Sequence, residues 1–351
     1  MMQYKKFNEI DLDDVFFDSL KNDYPGFDDW FKKKADEMAC VLYEDEKLQA
    51  FLYTKDERTE SLEKEEDVIK NNVDQNRLKV GTFKIEAAGT TRGERFIKKI
   101  VDEGIAGSYK NIYMTIFPKH KHLIKLVETY GFELKGDKKN GEGVYVKDIS
   151  RLRDDKDQNF NFPLLSIKDK KKYILSIYPI FHTRLFPDSI LKNEESYKYN
   201  LVKDVSVTNT IHKIYICFMN DTKILKKGDI VCIYRTSDNL GPAYYRSVVT
   251  SICQVEEVKT KANFVDIDDY LQFTKKSIFN EKDRADWYRK RDVIVIKMTY
   301  NIALTNKLTR GYMIDNLGIS SSSYWGFMEI TDKQFDGIIK KGEIYENIIV
   351  D

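Results

Sequence analysis

The stretch GTFKIEAAGTTRGERFIKKIVDE, residues 81–103, sets a Thr/Gly/Arg turn directly before an amphipathic helix. N–H groups at a helix start, together with the positive end of its dipole, bind phosphate, and Arg92 and Arg95 add charge at this one. Against that, Thr91 and Glu94 have the spacing of a capping box, which would occupy some of those donors. The strand before the turn, LKVGTFKIE, changes phase. Leu78 and Val80 share one face, but Phe83 and Ile85 lie an odd number of residues further on. Keeping both pairs inward requires one inserted residue, a bulge at Gly81-Thr82. Main-chain groups left unpaired there suit an extended, amide-bearing ligand that adds itself as a strand.

Three side chains near these segments could move a proton. Glu86 would be a general base if it faces a cleft, with a surface ion pair as the alternative. His120 could act as acid, base or hydrogen-bond donor, or simply cap the helix after Pro118. Tyr130 could be an acid, or an apolar-face tyrosine of the core. His120 and His122 stand two apart and do not share a helix face. No metal site is expected. Cys40, Cys217, Cys232 and Cys253 are far apart in apolar runs, as buried thiols of a reducing compartment are.

The elements that must position these groups can be read from periodicity. Residues 2–10 begin with a short strand; Val15, Phe16, Leu20 and Tyr24 recur at helical spacing. MACVLYEDEKLQAFLYTK reads as a hairpin around Glu44-Asp45-Glu46-Lys47. Residues 55–77 are almost wholly polar and read as a solvated insertion. Strand, turn, helix (93–104), strand (111–118) and helix (119–130) follow, with Leu123, Val127 and Tyr130 on one face of the second helix. Gly131 stands where a left-handed cap belongs. The expected division is a first domain over 1–149, a linker over 150–163 and a second domain over 164–351. The second shows apolar strands between turns, with helical patterns near 183–193, 266–277, 279–290 and 332–341.

The bulk composition excludes several classes. The 351 residues carry 58 Lys and Arg against 57 Asp and Glu, so any nucleic-acid footprint must be a local patch. No apolar run reaches the length of a membrane helix, and MMQYKKFNEIDLDD lacks the core of a signal peptide. A cytoplasmic protein is expected.

The turn Arg92-Gly93-Glu94-Arg95-Phe96-Ile97, followed by NIYMTIFPKHKHLIKLVETYGF, resembles the GNAT acetyltransferases across residues 1–147. That superfamily holds the acetyl-CoA pyrophosphate on an Arg/Gln-x-x-Gly-x-Gly/Ala turn and pairs the pantetheine arm with the splayed strand before it. The resemblance implies a mixed sheet flanked by helices and acetyl-CoA as cofactor. It implies cofactor contacts from Phe83, Ile85, Arg92, Gly93, Glu94, Arg95, Phe96 and Ile97, with Glu86, His120 and Tyr130 as the catalytic candidates. Arg92 matches the first motif position, whereas Arg95 and Ile97 replace small residues. Val127 stands where many relatives have a tyrosine acid, and His120 where an asparagine is frequent.

In the second half, Lys226-Lys227-Gly228-Asp229-Ile230-Val231 and the later strand ICQVEEV look like the PUA-like β-barrel domains that carry helices, the ASCH and EVE types in particular. That resemblance covers roughly 170–340 and implies binding of RNA (tRNA among the options) or a modified nucleotide. The chemistry needs a basic rim with stacking aromatics, and His182, Arg184, Arg246, Trp287 and Arg291 are the candidates. The expected architecture is α+β/α/β, and the expected activity is acetyl-CoA-dependent N-acetyl transfer to an RNA-borne substrate. The alternatives are a non-catalytic nucleic-acid reader with a degenerate first domain, and a small-molecule or protein acetyltransferase.

Overall fold

The structure is a computed structural model that describes residues 2–86, 91–189, 210–344 and 348–350. The chain divides into two compact units, 1–151 and 152–351.

The first unit is a seven-stranded mixed sheet in the order β1-β2-β3-β4-β5-β7-β6. Its strands are β1 (Met2–Lys6), β2 (Met38–Glu44), β3 (Lys47–Asp56), β4 (Arg77–Ile85), β5 (Asn111–Ile116), β6 (Glu133–Asp137) and β7 (Gly143–Asp148). The helices that matter for the site are α1 (Asp18–Asp23), α2 (Phe27–Lys33), α3 (Arg92–Ala106) and α4 (Lys121–Thr129). The β2–β3 hairpin turns through Asp45 and Glu46, both at positive φ, as a tight two-residue loop demands. Gly131 ends α4 at φ 83°, the left-handed cap its type favours.

The bulge forms at the expected place. Tyr53 on β3 faces Thr82, whereas Thr54 faces Val80, so Gly81 is the extra residue. A Cβ at Gly81 would lie 2.8 Å from Tyr53 Cδ1, which explains the glycine there. On its other edge β4 runs parallel to β5 only from Arg77–Asn111 to Val80–Met114. Past that point β5 stays paired with β7 through Ile116, while β4 stays with β3 through Ile85. The two central strands therefore part at the bulge.

The insertion at 57–76 is more than a solvated loop. Ile69 and Val73 are buried against Tyr113, Val144 and Val146. Glu57, 1% exposed, accepts from Tyr113 Oη at 2.5 Å and from Arg77 Nε at 3.3 Å.

The second unit has a six-stranded mixed sheet in the order β10-β13-β12-β11-β9-β14. The strands are β9 (Lys172–Ile177), β10 (His212–Cys217), β11 (Ile230–Arg235), β12 (Val248–Thr260), β13 (Ile294–Thr309) and β14 (Phe327–Ile330). Only β9 and β11 run parallel. A two-stranded parallel ribbon, β8 (Leu165–Ser166) with β15 (Ile349–Val350), accompanies it. Three register shifts between β12 and β13 bend these two longest strands, as bulges do. Helices α5 (Pro179–Leu185), α6 (Ile267–Phe273), α7 (Glu281–Lys290), α8 (Arg310–Leu317) and α9 (Asp332–Gly342) flank the sheet. The expected helix at 183–193 falls instead at Pro179–Leu185, and residues 190–193 lie outside the described residues. Most of the expected linker belongs to this unit. Phe162 is fully buried, and Gln158 Nε2 donates to Thr299 Oγ1 at 2.7 Å and to the Gln254 carbonyl at 3.0 Å. Those apolar and amide contacts hold residues that composition alone assigns to a tether.

Candidate active site

A cavity of about 1050 Å³ opens where β4 leaves β5. Val80 through Glu86 form one wall, and Met114, Thr115 and Ile116 form the other. The α1–α2 segment closes one end with Asp23, Tyr24, Phe27 and Trp30; α4 borders it with Leu123, Lys125 and Leu126. Gly93, the second residue of α3, also lines it, and a Cβ at that position would meet Leu126 Cδ2 at 2.7 Å. Its glycine thus lets α3 and α4 approach closely at the cavity wall.

His120 precedes α4 and lines the cavity. Its side chain makes no capping bond; instead Nε2 lies 3.0 Å from Asp23 Oδ2. The Asp23 side chain is 7% exposed and also pairs with Lys119. Burial pushes the Asp23 carboxyl up, but the bonds from Lys119 and His120 outweigh it and hold the group below the usual carboxylate range.

A second carboxylate anchors the same end. Glu142, just before β7, is 3% exposed and accepts from Tyr24 Oη at 2.7 Å, Thr115 Oγ1 at 3.0 Å and Asn140 Nδ2 at 2.9 Å. Burial raises its carboxyl, yet the bonds from Asn140, Tyr24 and Thr115 with the Lys138 charge leave it lowered. Burial, with the bond to Glu142, pushes the Tyr24 phenol well above its ordinary value. Three elements distant in sequence are tied by one ion.

Of the residues read from sequence, Phe83, Ile85, Glu86, Gly93 and His120 line the cavity. Arg92, Glu94, Arg95, Phe96 and Ile97 do not line it. Arg92 turns to Glu44 and Gln49, with Nε 3.0 Å from Glu44 Oε1 and an amino nitrogen 3.1 Å from Gln49 Oε1. Phe96 and Ile97 are fully buried on α3, and Arg95 is 3% exposed. Their side chains serve the packing of α3, which is why the motif positions hold large residues. Thr91 is the N-cap residue of α3, but its side chain makes no capping bond, so the expected capping box does not form. Thr90 lies outside the described residues. Glu86 is bound to Lys84 Nζ at 3.0 Å and its side chain is 46% exposed. Tyr130 corrects the sequence reading: it is 2% exposed and does not line the cavity, its carbonyl accepting from Lys147 Nζ at 2.7 Å. Sequence reasoning missed Asp23, Tyr24 and Glu142 as site groups, since nothing local marks a pairing across about a hundred residues.

The second unit redirects most of its nucleic-acid candidates. His182 is fully buried, with Nε2 2.7 Å from Thr250 Oγ1, and burial lowers its imidazole to about 3. It cannot present to a partner. Arg184 donates to the Ile278 carbonyl, and Arg246 is ion-paired with Asp238. Trp287 packs edge-on against Phe279 at 4.6 Å beside the core. Arg291 lies over the Phe218 ring, 4.8 Å from its centroid.

Among the described residues no group of three or more His, Cys, Asp or Glu could hold a metal ion, and no helix is long and apolar enough to cross a membrane.

No protein-family profile matches the sequence, and no curated protein matches it. Solved structures similar to the chain include the ASCH protein from Zymomonas mobilis, at 8% identity over 49% of this chain and 96% of that one, TM-score 0.32. Aminoglycoside 6'-acetyltransferase type Ii is similar at 14% identity over 44% and 99%, TM-score 0.32. The ribosomal-protein-S18-alanine N-acetyltransferase from Escherichia coli is similar at 13% identity over 45% and 99%, TM-score 0.30. These values are too low to carry a substrate or a site residue from any of them to this chain. The similarity is thus to N-acetyltransferases of the GNAT kind and to an ASCH protein, each over about half of the chain.

Proposed function

We propose that the chain is an acetyl-CoA-dependent N-acetyltransferase whose reaction takes place in the cavity between β4 and β5. The observation that carries this reading is the parting of those strands at the Gly81 bulge, which opens directly into that cavity. The fit to the cofactor rests on this chain's backbone. From Gly81 to Ile85 β4 has one edge on β3 and no pairing with β5, so a pantetheine arm with its two amides can lie along it as a strand does. Lys121 and Lys125, four apart on α4 and at the cavity, supply positive charge for phosphate oxygens. Arg92, committed to Glu44, serves instead to fix the start of α3.

A thioester is already activated towards amines. Aligning it with a neutral amine supplies much of the acceleration, and walls that exclude water suppress hydrolysis. The acceptor end is the one closed by the α1–α2 segment, where Tyr24 and Trp30 offer aromatic surface.

The test is release of free thiol from acetyl-CoA in the presence of amines: a tripeptide with a free α-amine, an alkyl diamine and an amino sugar. Amine-dependent release is expected for at least one. Cofactor binding without turnover of any amine would favour the non-catalytic alternative.

For the second unit the proposal is RNA contact, narrowed to the strip where the half-exposed Phe218 carries Arg291 and neighbours Arg289 and Lys290, 65% and 71% exposed. Arginine over a partly exposed ring, beside two exposed cations that share Asp286 at 3.7 and 3.5 Å, suits single-stranded RNA. Binding of an oligouridine should weaken steeply with salt; salt-independent or absent binding would remove this reading.

A further inference from the structure

Val127 and Tyr130 are buried and neither lines the cavity, whereas His120 does. We infer that Asp23 and His120 form a carboxylate–imidazole pair in which His120 is the catalytic proton carrier and Asp23 its positioning residue. This rests on the acetyltransferase reading above.

The geometry assigns the two nitrogens. Asp23 is an acceptor, so Nε2, 3.0 Å away, carries the hydrogen in the neutral ring and Nδ1 keeps the lone pair. Asp23 is itself immobilised: its side chain is nine-tenths buried, and its other oxygen is held by Lys119 from the turn that carries His120. The His120 side chain, 40% exposed, borders the cavity. Asp23 sits at the end of α1, in the segment that closes the acceptor end. An acceptor seated there thus lies against the loop that orients the imidazole.

The chemistry balances with no further reactant. The amine nitrogen bonds to the thioester carbonyl carbon, and its surplus proton passes to His120 Nδ1, giving an imidazolium opposite Asp23. As the C–S bond breaks, that proton passes from Nδ1 to the departing sulfur, leaving amide, free thiol and the original neutral ring. Nitrogen and sulfur are attached to the same carbon in the intermediate, so one imidazole can serve both transfers. General acid–base assistance of this kind contributes about 10²–10⁴-fold.

The test uses the full chain. In imidazole ¹⁵N spectra, where only four histidines contribute, His120 should show a protonated Nε2 and a lone-pair Nδ1, and Asp23→Ala should mix the tautomers. A dominant Nδ1–H form in the wild-type protein would overturn the assignment whether or not any amine is turned over. In thiol-release assays His120→Ala should lower kcat about 100-fold and Asp23→Ala about tenfold, with the KM for acetyl-CoA unchanged. The double variant should be no slower than His120→Ala, because Asp23 acts only through the ring. Independent, multiplying losses, or an active His120→Ala, would refute the pair. Calorimetric binding of acetyl-CoA by both variants keeps this outcome distinct: loss of cofactor binding by the wild-type chain would instead remove the acetyltransferase reading.

Discussion

Substituting Gly81 by alanine tests the link between the bulge and the cavity. The added Cβ would sit 2.8 Å from Tyr53 Cδ1 and 3.0 Å from Cε1, well inside normal contact. The ring has little room to yield. Its hydroxyl is bound to Glu37 and Lys34, and its faces and edges meet Phe7 at 5.3 Å and Trp30 at 5.8 Å between centroids. Overpacking of this kind costs about 1–3 kcal/mol. With a urea slope of about 2 kcal/mol/M, the midpoint of the first unit should fall by about 1 M. Trp30 is the only tryptophan of that unit, so its fluorescence reports the transition in a Trp287→Phe, Trp325→Phe background. A shift of β4 should also misplace the amides beyond the bulge. Losing one such bond, about 1 kcal/mol, weakens acetyl-CoA about fivefold. An unchanged midpoint together with unchanged affinity would refute the claim that the glycine sets this stretch of β4.

Two further substitutions probe the frame. Lys147 is buried on β7, and burial lowers its amine to about 7 despite the nearby Asp148. The folded state then holds fewer protons than the unfolded chain between about pH 7 and the ordinary lysine range, so stability rises with pH across that window. Lys147→Met should flatten the rise and stabilise the protein at pH 7 by about 1–3 kcal/mol, the charge-burial cost less the bond to the Tyr130 carbonyl, measured by urea titration at several pH values. Glu57→Gln removes the carboxylate that faces Arg77, Lys79 and Tyr113 under the 57–76 insertion. Uncompensated buried charge costs about 3–5 kcal/mol, and the first unit should unfold at correspondingly lower urea.

What could be read in advance follows from how local each signal is. The bulge was legible because strand alternation has a period of two and one extra residue breaks it visibly. The hairpin at Asp45-Glu46 and the cap at Gly131 were legible for the same reason. The insertion misled because Leu62, Val68, Ile69 and Val73 are its few apolar residues, while Glu57 and Arg77 read as solvated charge although both are buried and paired. Arg92 matched a motif position, but the direction of its side chain depends on Glu44, forty-eight residues earlier. Asp23 and His120 are separated by 97 residues, and Tyr24 and Glu142 by 118, so only the fold brings them together. In the second unit His182 and Trp287 take packed positions, because such residue types serve a core as well as they serve RNA.

The acetyl-CoA assignment is tested most directly by isothermal titration of the full chain with CoA and acetyl-CoA. Binding with a dissociation constant in the micromolar range, the span of ordinary enzyme–substrate pairs, and weakened by Gly81→Ala, is the predicted result. No heat at millimolar cofactor would contradict the proposal that the space between β4 and β5 is a coenzyme site.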